Sequence, residues 1–117
     1  MFAFERLDAW NHCHRLTLVI YRVTGRWPSS ERFGLTAQVR RAAVSAEANI
    51  AEGAAKRGRT EFRRYLDISV GSLAELACLL RLALDLGFVE PEDAVELNSV
   101  REVAAKLTWR LYRSMTP

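Results

Sequence analysis

Three groups of residues carry enough chemistry to be read first. His12 and His14 flank Cys13, the side-chain types of a transition-metal site. On a helix, residues two apart diverge by about 200°, so the two imidazoles cannot reach one ion. The triplet therefore reads as packed or solvated side chains, and no metal is expected. Glu52 and Glu75 are candidate acid–base carboxylates, but two carboxylates alone define no substrate. No glutamate has a histidine three residues on, as ferritin-like metal bundles require, and neither a phosphate-cradling glycine loop nor a nucleophile elbow is present. The expectation is a protein with no catalytic residue, no cofactor and no enzymatic activity.

The second group is basic. Lys56, Arg57, Arg59, Arg63 and Arg64 crowd one stretch with Glu61 as the only acid among them, and Arg40 and Arg41 lie upstream. Phosphate is the natural partner, because guanidinium presents a flat fork of donors to it. The candidate nucleic-acid contacts are Arg40, Lys56, Arg57, Arg59, Arg63 and Arg64. The alternative is a solvated corner, since charge runs are common on helix faces.

The third group is a polar stripe. Gln38, Arg41, Ser45, Asn49, Glu52 and Lys56 follow one another at spacings of 3, 4, 4, 3 and 4, which holds them on one helix face. Tyr65, Ser72 and Glu75 form a partial counterpart within a leucine-rich line. One reading is a wet face whose serines permit close packing. The other is a hydrogen-bonded network between two helices, or one lining the centre of an oligomer, with Arg41 paired to a carboxylate. The network reading predicts that Asn49 and Glu52 are buried.

The elements that must position these groups follow from hydrophobic period. The 117 residues, 50% apolar and 26% charged, suit one globular domain spanning 1–117. Ala9, Cys13, Leu16, Ile20 and Val23 predict a helix from Leu7 to Gly25, broken by Trp27-Pro28-Ser29-Ser30. Leu35, Val39, Ala42, Ala46 and Ile50 predict a second from Thr36 to Lys56, packed through small side chains. Gly58 is expected to end it and Thr60 to cap a third from Glu61 to Leu86, closed by Gly87. Pro91, with Glu92 and Asp93 behind it, opens a fourth whose stripe is Leu97, Val100, Ala104, Leu107 and Leu111. Four helices with short connections and no strand-like alternation predict an all-α, antiparallel up-down-up-down four-helix bundle.

The third helix carries two adjacent lines, Phe62, Leu66, Ser69, Leu73, Leu76 and Leu80 beside Tyr65, Ile68, Ser72, Glu75, Leu79, Leu82 and Leu86. So wide an arc asks for partners on two sides and predicts a homo-oligomer. Cys13 and Cys78 both fall in apolar patterns, where reduced thiols act as small hydrophobes, and no disulfide is expected. No apolar run reaches the roughly 18 residues of a membrane span, and the first residues lack the layout of a secretion signal. A cytoplasmic location is expected.

Several short motifs occur in order: Phe4-Glu5-Arg6-Leu7-Asp8-Ala9-Trp10, Phe33-Gly34-Leu35-Thr36, Gln38-Val39-Arg40-Arg41-Ala42, Asn49-Ile50-Ala51-Glu52-Gly53, Glu61-Phe62, Gly71-Ser72 and Glu75-Leu76. Over about residues 4–87 they resemble the S23 family, the four-helix-bundle proteins encoded within intervening sequences of bacterial 23S ribosomal RNA genes. The resemblance implies a bacterial, non-enzymatic bundle assembling as a ring, a homopentamer. A more distant similarity, to accessory proteins of diversity-generating retroelements, implies basic pentamers that bind RNA or DNA and a reverse transcriptase. The family's polar positions fall on Gln38, Arg41, Ser45, Asn49, Glu52, Ser72 and Glu75. Trp27, where phenylalanine is usual, and Ala46, where a branched residue is usual, depart from the pattern as packing changes.

Overall fold

A computed structural model describes residues 1–116. After a short 3-10 turn at Ala3–Arg6, helix α1 runs Asp8–Thr24, α2 Leu35–Ala54, α3 Arg59–Asp85 and α4 Pro91–Ser114. Each helix packs on its neighbours in the chain, and α1 closes the square against α4. The bundle measures 44 × 25 × 25 Å. Contacts at both ends of α1 and α4 fix their antiparallel sense: Cys13 meets Thr108, Arg22 pairs with Glu96, and Arg26 donates to Asp93 at 2.6 Å. The expected up-down-up-down bundle is the fold found.

The core is the one the helical period predicts. Every residue of the α1 stripe (Ala9, Cys13, Leu16, Ile20, Val23) and of the α2 stripe (Leu35, Val39, Ala42, Ala46, Ile50) is buried. So are Leu66, Leu73 and Leu76 on α3 and Leu97 and Ala104 on α4. Each large aliphatic side chain so enclosed contributes about 1.5–3 kcal/mol relative to exposure. The small side chains of α2 let α3 come close: a Cβ at Gly53 would stand 2.8 Å from the Cβ of Tyr65 and 2.9 Å from Cδ1 of Phe62. Buried hydroxyls in this seam are satisfied, with Ser69 donating to the Ala46 carbonyl at 2.6 Å.

Helix ends follow local chemistry, with two corrections, the first being that α2 stops at Ala54 with Ala55 as its cap, short of the expected end at Lys56 and Gly58. Gly87, at φ 80°, closes α3 as expected, and the amides of Gly87 and Phe88 donate back to Leu84 and Ala83 at 3.0 Å each. Pro91 opens α4 as expected. Thr60, however, does not cap α3. The cap position belongs to Gly58, at φ 85°, and the helix already begins at Arg59, leaving Thr60 inside the first turn. The sharp reversal needed a positive φ, which glycine adopts at little steric cost, and that requirement outweighed a hydroxyl cap.

The second line of α3 behaves differently from the first. Ser72 is buried, but Ile68, Leu82 and Leu86 remain 45–53% exposed, and Glu75 is exposed with them. Cys78 is exposed too, contrary to its expected place in the apolar pattern, because it falls on the outermost side of α3.

Candidate nucleic-acid interface

At one end of the bundle α2 turns into α3 and α4 stops beside them. Lys56, Arg57 and Arg59 lie in or next to the turn, Arg63 and Arg64 on the first turns of α3. Two tyrosines hold three of these cations. The Lys56 ammonium lies 5.4 Å and the Arg64 guanidinium 5.0 Å from the ring centre of Tyr65, and Arg63 lies 4.4 Å from that of Tyr112 on α4. Such stacking orders long basic side chains without consuming their charge. Arg59 donates to the carbonyl of Ser114 at 2.8 Å, tying the turn to the end of α4.

Among the described residues, Arg64 alone of the five meets a carboxylate, Glu61 on its own helix at 3.2 Å. Arg57 has no hydrogen-bond acceptor or aromatic ring against it among the described residues, and it is exposed. The group is therefore positive and largely uncompensated. Spacing within residues 56–64 brings these cations together in sequence, but it gives no sign that α4 joins them. Tyr112 and the carbonyl of Ser114 are contributors that no spacing within residues 56–64 points to, and Arg110 and Arg113 flank them in the last turns of α4.

Arg40 does not belong to this group. Sixteen residues of helix separate it from Lys56, about 24 Å along the axis. Its Nε donates to the Thr24 hydroxyl at 2.9 Å, and its guanidinium covers the ring of Tyr21 at 4.5 Å, so it braces α2 against α1.

The polar stripe divides into two parts. Ser45 and Ser72 share a hydrogen bond of 2.8 Å across the α2–α3 seam, and Asn49 donates to the Ser45 carbonyl and hydroxyl at 2.8 and 3.1 Å. This is a short network between helices, with Asn49 partly buried. Gln38, Arg41, Glu52 and Glu75 are exposed. Glu52 was expected to be buried and hydrogen-bonded; it is exposed, and its side chain makes no hydrogen bond among the described residues. Arg41 likewise forms no ion pair among the described residues.

A cluster not anticipated lies near the amino terminus. His14 stacks on Trp10 at 4.7 Å and shares a hydrogen bond of 2.9 Å with Glu47 on α2, while the tilted ring of Phe4 also packs on Trp10 at 4.7 Å. The spacing of four between Trp10 and His14 was the available clue. The cluster fastens the first residues and α1 to α2. His12, two residues away, takes no part in it.

A family model described as 23S rRNA-intervening sequence protein matches residues 5–109. The match runs well into α4, whose own sequence shows only a generic amphipathic pattern. No curated protein matches the sequence. No helix among the described residues is long and apolar enough to cross a membrane.

Proposed function

The chain belongs to the 23S rRNA-intervening sequence protein family, and from that membership we propose that it acts without catalysis as an oligomeric RNA-binding bundle. Its contact surface is the end where α2 turns into α3 and α4 stops. The observation that carries this reading is the set Lys56, Arg57, Arg59, Arg63 and Arg64, three of them stacked on tyrosines and, among the described residues, only Arg64 paired with a carboxylate. Cations held in place but not neutralised are suited to an external polyanion, and phosphate neutralisation releases counterions. In a homopentameric ring every subunit would repeat this end, and weak contacts would combine into useful affinity. The oligomer is supported by the second line of α3, along which Ile68, Glu75, Leu82 and Leu86 stand exposed.

The same aliphatic face favours one alternative, a cytoplasmic scaffold ring that binds a partner protein, such as a reverse transcriptase, and no nucleic acid. Retention on immobilised RNA separates the two. The RNA reading expects binding at low ionic strength and steep elution as salt rises, with a slope set by the number of phosphates contacted. Absence of retention at low salt refutes it in favour of the scaffold.

A further inference from the structure

Beside the basic end, α3 and α4 part to leave a groove of about 240 Å³ lined by Val70, Leu73, Ala74, Ala77, Arg101, Ala105 and Trp109. Among the described residues no carboxylate lines it. Trp109 is 48% exposed, and its ring stacks on Tyr112 at 5.4 Å with the planes 27° apart. Tyr112 in turn carries Arg63. The Nε of Arg63 is enclosed and meets no acceptor among the described residues. Arg101, which makes no ion pair among the described residues, lies eight residues from Trp109 on α4, about 12 Å along the helix.

An indole half open to solvent, backed by a stacked tyrosine and flanked on both sides by arginines, matches the parts that hold unpaired nucleotides. The aromatic ring takes the base and the cations take the backbone on either side. A duplex keeps its bases stacked inside and cannot use such a ring. We propose that Trp109, supported by Tyr112 and flanked by Arg63 and Arg101, stacks an unpaired base, so that the protein prefers single-stranded RNA to duplex RNA. This rests on the RNA-binding reading and specifies the form of RNA it takes.

The test uses fluorescence anisotropy with a labelled oligouridylate and a duplex RNA of equal length, on the full chain and on Trp109→Phe and Trp109→Leu. Leucine keeps an apolar side chain against the groove but removes the aromatic face. The expected result is about a tenfold loss of single-strand affinity for Trp109→Leu, a smaller loss for Trp109→Phe, unchanged duplex affinity and an unchanged salt slope, since no charge is altered. Circular dichroism and sedimentation of the variants should match the parent. Equal affinity of both variants and the parent for the oligouridylate overturns the base-stacking site while leaving the RNA reading standing. So does a loss that follows a change in oligomer size. Failure of the parent protein to bind either probe overturns both.

Discussion

At the scale of single residues, the two cysteines make opposite statements. Cys13 is enclosed between α1 and α4, and burial pushes its thiol up to about 11, with Glu47 adding to the rise and the Thr108 hydroxyl opposing it. Cys78 is exposed. A thiol reagent at neutral pH should therefore modify Cys78 in the folded protein and reach Cys13 only on unfolding. Two fast-reacting thiols in the native state would contradict the packing described here. The sign of the linked pH effect follows from the raised value. The folded state favours the neutral thiol, so the contribution is fully present below pH 9, is lost as pH rises towards about 11, and disappears in Cys13→Ala. Glu52 shows where residue-level reading fell short. Its place on the stripe was legible, but spacing fixes only a direction around the helix, not how far a side chain extends past its neighbour. Within one subunit Glu52→Ala leaves no buried partner behind and should shift the melting temperature little. A marked, concentration-dependent loss would locate Glu52 at a contact between subunits.

At the scale of elements, what decides the arrangement is how close α2 and α3 come. The small stripe of α2 made their approach legible, and its consequence is sharpest at Gly53. A methyl group there would overlap Tyr65 and Phe62, and one of the contacts is with the Cβ of Tyr65, which cannot swing away. Gly53→Ala should cost about 1–3 kcal/mol through overpacking, measured by denaturant unfolding. It should also disturb Tyr65, the ring that orders Lys56 and Arg64. Stability equal to that of the parent would mean that the two helices slide apart freely. The period of α1, α2 and α4 was readable because each has one main apolar stripe and the bundle covers it. That of α3 was ambiguous because its second line is apolar without being covered inside the subunit. Thr60 was misassigned for a different reason: cap propensity is local, whereas the backbone of Gly58 is set by the reversal between two helices. The exposed line carries the prediction for assembly. Sedimentation at micromolar concentration should show an oligomer, with five subunits expected, and Ile68→Glu should reduce it to smaller species while retaining helicity. A parent protein found only as the 13.3 kDa monomer would contradict this.

At the scale of the whole molecule, the fold turns a modest excess of charge into a polarity. Residues 1–10, 52–67 and 107–116 meet at one end and carry eight basic and five acidic groups, so the entire net charge of +3 lies there. Residues 22–41 and 81–97, at the opposite end, carry six of each. Three of those six cations, Arg22, Arg26 and Arg81, are paired with Glu96, Asp93 and Asp85. Along the chain the basic group looked like a property of residues 56–64, and the contribution of α4 was invisible because it depends on which helix ends beside which. The site also changes the choice of test. Arg63 is stacked on Tyr112 with its Nε enclosed, so reversing it would damage packing as well as charge. Arg57 and Arg59 are exposed at the basic end, and Arg15 and Arg32 are equally exposed away from it. The most direct measurement is the RNA affinity of two variants that lose the same net charge, Arg57→Glu/Arg59→Glu and Arg15→Glu/Arg32→Glu, against the parent at one low salt concentration. The account predicts that the first pair abolishes binding and the second weakens it slightly, with oligomer size and helicity unchanged in both. Equal losses from the two pairs would contradict it, since attraction would then follow net charge and not the end of the bundle where α2, α3 and α4 meet.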